Sequence, residues 1–291
     1  GIRDDLVTGV QTCALPICVP VGHVEAGLRS GDKTAPWPEE VFRRMTDVIA
    51  DHYFAPTPRA RDLLLAEGVP GASIHVTGNT VVDALLDVAS RELPVTSRTL
   101  SDLVHASDAR RFVLLTAHRR ESFGAPLERI FTAVRRLVEA HSDLHVLYPV
   151  HPNPNVEGPA YAALDGVDRV HLTGPLDYVD TVNAIKRASL ILTDSGGIQE
   201  EAPTFGTPVL VLRSVTERPE GIEAGVAHLV GSDIDSIVSQ ANRTLSRPRG
   251  DTMNPYGDGQ AGKRIADVVA SVLLDRPRKT MDWAGPPSAT A

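Results

Sequence analysis

The run Leu190-Ile-Leu-Thr-Asp-Ser-Gly-Gly-Ile-Gln-Glu-Glu201 leaves the chain little choice of local fold. A short apolar strand ends at Thr193 or Asp194, two glycines turn the chain, and a helix opens carrying two carboxylates. At such a turn the backbone N–H groups point outward together, beside the positive end of a helix dipole, which suits a diphosphate. Ser195 adds a hydroxyl donor, and Glu200 and Glu201 lie one turn on, where sugar hydroxyls could be met. The alternative is a Gly-containing turn that only reverses the chain.

The same strand–helix rhythm continues on either side. Strands are expected at Pro20–Val24, His52–Ala55, Ser73–Thr77, Phe112–Thr116, His145–Pro149, Arg169–Leu172, Pro208–Leu212 and His228–Val230. Helices are expected at Glu39–Ala50, Arg59–Glu67, Thr80–Ser90, Leu127–His141, Val179–Ala188, Asp233–Leu245 and Gly262–Leu274. Alternation of this kind predicts an α/β fold with parallel sheets covered on both faces.

Two Rossmann-like, doubly wound domains are expected, the first one incomplete. Residues 19–90 would be the later part of the first domain, 91–110 a polar linker, and 111–260 a nucleotide-binding domain. Residues 261–275 would form a terminal helix packing back on the first domain, and 276–291 a disordered tail. A Rossmann-like unit normally has five or six strands, so roughly 100 residues are expected to be absent upstream. Residues 1–18 are expected to be foreign to the fold, because Val7–Ile17 reads like a translated sequencing adapter.

Composition narrows the partners. A net charge of -8 argues against non-specific nucleic-acid binding and anionic membrane surfaces, but not against a local anion site. No apolar run reaches membrane-spanning length. Cys13 and Cys18 give neither a disulfide framework nor a metal spacing, so a cytoplasmic protein is expected; with no His/Cys/carboxylate cluster at metal spacing and no Gly-x-Gly-x-x-Gly fingerprint, no metal or other cofactor is expected.

Further polar clusters fall where strands end, the sheet edge at which open α/β folds bind ligands. His23-Val-Glu25-Ala-Gly-Leu-Arg29 follows the first strand, and Pro36-Trp-Pro-Glu39-Glu40 opens a helix, where capping is the plainer role for the carboxylates. His118-Arg119-Arg120-Glu121-Ser122 suits diphosphate oxygens, or is a solvated basic loop. His151 stands in a stiff, proline-set loop, Tyr148–Asn155, where a structural role is the simpler one. Arg213 and Arg218 bring cations beside the Gly-Gly turn, with Glu217 and Glu220 to hold them; singly, each would be a surface pair of little value.

In this order the motifs resemble the non-hydrolysing bacterial UDP-N-acetylglucosamine 2-epimerases. The resemblance runs over about residues 19–275 and rests on His23–Arg29, Pro36–Glu40, Gly78-Asn-Thr80, His118–Ser122, Pro149–Asn153, Thr193–Pro203, Thr216–Glu220 and Asn254-Pro-Tyr-Gly-Asp258. It implies the glycosyltransferase-B architecture and interconversion of UDP-GlcNAc and UDP-ManNAc, in a homodimer. By position it implies Glu25, Glu39 and His118 as catalytic residues. Ser195, Gly196, Gly197 and Arg218 would hold the diphosphate and Glu201 the ribose, while Glu40, Arg119 and His151 would hold a second, activating UDP-GlcNAc.

Some positions depart from the family pattern. The Gly-Thr-Arg-Pro-Glu loop and the Gly-Asp-Thr segment, with a further catalytic carboxylate, are absent from these residues, so the 291-residue chain alone is expected to be inactive. Phe42 replaces an Asn, and Leu176 and Thr181 replace Gln and Phe beside the uracil. Rival readings are a hydrolysing epimerase, a glycosyltransferase of the same architecture, and a non-catalytic UDP-sugar-binding module.

Overall fold

The computed structural model describes residues 19–34, 37–91, 93–105, 111–250 and 253–286. The expectation for residues 1–18 lies outside them. The chain divides into two units: one holds the residues up to Thr80 together with those from Tyr256 onward, the other Val81–Pro255.

In the first unit β1 (Gly22–Val24) leads to α1 (Glu39–Ile49), β2 (His52–Ala55), α2 (Pro58–Ala66) and β3 (Ile74–Val76). The strands form a three-stranded parallel sheet in the order β1-β2-β3, with His23 opposite Tyr53 and Phe54 opposite His75. Thr57 caps α2 by accepting the Ala60 N–H, and Pro58 takes the first helical position, where no N–H is needed.

α3 (Thr80–Ser90) crosses from the first unit into the second, which continues with α4 (Arg98–Val104), β4 (Arg111–Thr116), α5 (Ala125–Ala140), β5 (Leu144–Pro149), α6 (Pro154–Leu164), β6 (Val170–Thr173), α7 (Tyr178–Arg187), β7 (Leu190–Thr193), α8 (Gly196–Glu201), β8 (Val209–Val211), α9 (Pro219–Glu223), β9 (Ala227–Leu229) and α10 (Ile234–Leu245). All six strands are parallel, in the order β6-β5-β4-β7-β8-β9. Alternate residues of β4 serve opposite faces. Val113 and Leu115 enter a core with Ile130, Phe131 and Leu137 of α5, while Phe112 and Leu114 enter a second core with Ile185 and Ile191. Such two-sided burial makes the central strands continuously apolar. The strand order reverses between β4 and β7, so a crevice opens at their carboxyl ends.

Three expectations need correction. The expected linker 91–110 contains α4, whose Leu100 and Leu103 are buried in the second core, and the division between units falls earlier, at Thr80. α6 forms where no helix was expected, beginning inside the loop read at Tyr148–Asn155. Pro154 takes the N-terminal position, Asn153 accepts the Asn155 N–H, and Val156, Ala160 and Leu164 are buried. Residues 276–286, for which composition predicted disorder, are held: Asp267 of α11 (Ala261–Leu273) accepts the Lys279 and Thr280 N–H groups at 2.7 Å each, and buried Trp283 donates its N–H to Val76 O at 2.8 Å. One aromatic anchor and one buried carboxylate outweigh a polar composition.

Candidate active site

The crevice of the second unit is built around Asp194, which directly follows β7 and is 0% exposed. Its Oδ2 accepts the His118 N–H at 2.9 Å, the Arg119 N–H at 2.8 Å and the Ser122 hydroxyl at 2.9 Å. The loop after β4 is thereby pinned to the end of β7. Its Oδ1 lies 3.5 Å from His118 Nδ1. One step back, the Thr116 and Thr193 hydroxyls bond at 2.6 Å, and Thr193 Oγ1 accepts the Ser195 N–H at 2.9 Å.

Ser195 occupies the N-cap position of α8, yet its side chain makes no capping bond. Gln199 reaches back to Ser195 O at 3.1 Å and accepts the Thr216 hydroxyl at 2.7 Å, and Thr216 Oγ1 in turn accepts the Arg218 N–H at 3.1 Å. Arg218 is thus carried to the Gly-Gly turn. A methyl group on Gly196 would sit 3.4 Å from Arg218 Cζ and from Glu217 Oε1, so the guanidinium lies against the glycine at contact distance.

The charges beside the turn form a buried network. Arg218 donates Nε to Glu200 at 2.8 Å and lies 3.1 Å from Glu217, which also accepts from Arg213 at 2.7 Å; Arg213 further binds Glu121. Burial works against ionisation of Glu217, but Arg218 and Arg213 outweigh it and hold its carboxyl below the ordinary range. The surface-pair reading is therefore wrong for Arg213 and Arg218, which are 9% and 7% exposed. Glu200 belongs to Arg218 rather than to a sugar hydroxyl. Glu201 remains, with its carboxyl pushed up by burial.

His118 stacks on His151, with ring centroids 5.4 Å apart and planes 13° apart. Burial lowers the pKa of His118, opposed by Asp194 and aided by Arg119 and His151. Both rings line a mostly apolar hollow of about 190 Å³, together with Thr116, Pro175, Leu176 and Thr181. Leu176 and Thr181 thus line the same hollow, and Arg119 follows His118 in the pinned loop.

In the first unit Glu25 directly follows β1 with φ of +65°, a left-handed conformation that costs a non-glycine residue. The residues around it are clamped. His23 Nδ1 meets Asp47 Oδ1 at 2.5 Å, and Arg29 binds both Asp47 and Glu67, the latter at 2.7 Å. Glu40 is fully buried, accepting the Ser30 N–H at 3.0 Å and lying 3.2 Å from Arg44, whereas Glu39, beside it, is exposed. The spacing of these motifs gave no role to Asp47, Glu67 or Asp194. Asp194 could have been noticed as a carboxylate directly following a buried strand.

Among the described residues no group of three or more His, Cys, Asp or Glu could hold a metal ion, and no helix is long and apolar enough to cross a membrane. The sequence profile of the UDP-N-acetylglucosamine 2-epimerases matches residues 5–270. The Salmonella typhimurium UDP-N-acetylglucosamine 2-epimerase is 48% identical over 286 residues, covering 93% of this chain and 74% of its own. The chain belongs to the UDP-N-acetylglucosamine 2-epimerase family.

Solved structures agree with this membership. The S. aureus MnaA–UDP co-structure is 46% identical with a TM-score of 0.86, covering 93% of this chain and 74% of its own. The UDP-GlcNAc 2-epimerase of Neisseria meningitidis, bound to UDP-GlcNAc, is 38% identical with a TM-score of 0.80, covering 90% and 72%. These epimerases share the parallel α/β architecture, and the crevice between β4 and β7 is the family member's candidate active site.

Proposed function

We propose that this protein interconverts UDP-GlcNAc and UDP-ManNAc by eliminating UDP and adding it back, without releasing free sugar. The observation that carries the reading is the Gly-Gly turn after β7 with the buried Arg218 guanidinium over Gly196. Outward N–H groups and a fixed cation suit a diphosphate that gains charge as it departs. The family relatives whose structures were solved with UDP and with UDP-GlcNAc support the same ligand class.

The chemistry follows from the substrate. The C2 proton of the sugar is not acidified by a carbonyl, so its direct removal is slow. Breaking the C1–O bond first leaves oxocarbenium character at C1, and the C2 proton then departs to give a glycal. Ser195, Gly196, Gly197 and Arg218 hold the diphosphate in this scheme and Glu201 the ribose, while His118 faces the departing UDP. Glu25 and Glu39 remove and return the C2 proton, a contribution of about 10²–10⁴-fold for each acid/base group. Returning the proton to the opposite face and re-adding UDP completes epimerisation. Arg119, His151 and Glu40 are assigned to an effector UDP-GlcNAc; Glu40 would have to release Ser30 or Arg44 to take part. No metal or redox step is required. The protein works in the cytoplasm as a homodimer in this reading.

Incubation with UDP-GlcNAc in deuterated water tests it. Deuterium at C2 of both nucleotide sugars supports it and overturns the expectation that the 291 residues alone are inactive. Free ManNAc as the product would indicate hydrolysis instead, and sugar transfer to an added acceptor without C2 labelling would indicate a glycosyltransferase.

A further inference from the structure

We propose that Asp194 is a positioning residue with two separable tasks: its Oδ2 ties down the loop after β4, and its Oδ1 sets the tautomer and charge of His118. The proposal rests on the reading of His118 as a group that meets UDP, and adds what prepares it.

The geometry separates the tasks atom by atom. Oδ2 takes all three loop bonds, from the His118 and Arg119 N–H groups and the Ser122 hydroxyl. Oδ1 is buried, makes no hydrogen bond, and lies 3.5 Å from His118 Nδ1. A carboxylate needs no second oxygen to hold a loop. An uncompensated oxygen buried beside an imidazole costs stability unless it interacts with the ring. The separation is longer than a hydrogen bond, and such contacts shorten when ligand binds.

The other neighbours of the ring do not duplicate this task. Arg119 repels a proton from His118, and His151 stacks on its face. Among the groups that face His118, Asp194 is the one that favours its cationic form. With Nδ1–H directed at Oδ1, Nε2 is the nitrogen left to take or give a proton at a phosphate oxygen. This is the division of labour of an aspartate that orients a histidine through one nitrogen.

Asp194→Asn tests the two tasks separately. The Asn carbonyl oxygen can keep the three loop bonds, while its amide group removes the charge facing Nδ1. In the unaltered protein, side-chain ¹⁵N spectra should show neutral His118 protonated at Nδ1. In Asp194→Asn the His118 midpoint should fall by about one pH unit or more, and the pH at which UDP affinity declines should fall with it. Ser122→Ala, which removes one loop bond but no charge, should leave the midpoint in place.

An Nε2-protonated His118 in the unaltered protein would overturn the proposal, and that measurement does not depend on how well any variant folds. So would an unchanged midpoint in Asp194→Asn. His118→Asn distinguishes this from failure of the underlying reading. If its UDP affinity keeps the original pH dependence, His118 does not meet UDP, whatever couples it to Asp194.

Discussion

Arg218 and Glu200 meet at 2.8 Å with both side chains almost withdrawn from solvent, although 18 residues separate them in the chain. Glu217 lies against the same guanidinium at 3.1 Å. Truncation to Arg218→Ala would leave both carboxylates in a low-dielectric site without their shared cation. A loss of about 3–5 kcal/mol in urea unfolding is expected. Arg218→Lys keeps a charge but not the planar fork, so it should destabilise less, yet lower UDP affinity by roughly tenfold. An unaltered UDP affinity in Arg218→Lys would remove Arg218 from the diphosphate grip.

Glu201 and Glu217 should respond oppositely to pH. Burial raises the Glu201 pKa, so its contribution to stability is complete below the ordinary glutamate range and is lost as pH rises through the raised folded value. The Glu217 pKa is depressed by Arg218 and Arg213 against the effect of burial, so its contribution is present above the ordinary range and lost as pH falls through the lowered value. Thermal melts across pH should therefore show Glu201→Gln gaining on the unaltered protein toward neutral pH. Glu217→Gln should lose most there and least in acid. Parallel curves for the two variants would contradict the opposed environments.

What was legible in the sequence followed from period and punctuation. β7 and the Gly-Gly turn were clear because a buried strand must end and a glycine pair must turn, and β2 falls at His52–Ala55 as read. α6 was not legible, since Pro154 and Pro159 signal breakage unless one knows which ends the helix and which is tolerated inside it. The site shows the same division. Spacing located Arg218 and Glu217, but it could not show that Glu200 turns to Arg218 while its neighbour Glu201 does not. Nor could it reveal Asp47, or what Asp194 holds, because their partners come from distant parts of the chain and meet only when the sheets form.

Gly27 is a sharper case of legible motif and illegible reason. Its φ is +84°, and a Cβ there would stand 2.3 Å from Ala60 O, a backbone atom of α2. Gly27→Ala thus meets both a conformational penalty and an overlap that no side-chain rotation can relieve. The expected cost is about 3 kcal/mol or more, read as a drop in urea midpoint. Gly31 offers the control. It also has positive φ, +79°, but nothing lies within 4 Å of its added Cβ, so Gly31→Ala should cost only about 1 kcal/mol. Equal losses at the two positions would show that contact with α2 contributes nothing.

Arg29 joins Asp47 of α1 to Glu67 beyond α2, while Asp47 also holds His23. The side chains of Arg29 and Asp47 are 4% and 7% exposed, and that of Glu67 is 36% exposed, so the two carboxylates are not equivalent. Asp47→Asn should cost the more, about 2–4 kcal/mol, since it leaves Arg29 with the partly solvated partner. Glu67→Gln should cost about 1 kcal/mol. Because both act on one guanidinium, the double variant should depart from additivity by at least about 0.5 kcal/mol. Glu25 lies between His23 and Arg29 in its left-handed conformation, so loosening either end lets it relax. In the proposed reaction that relaxation would slow C2 deuterium exchange more in Asp47→Asn than in Glu67→Gln, with UDP affinity unchanged in both. Additive stabilities together with equal exchange rates would mean that the clamp around Glu25 is not a unit.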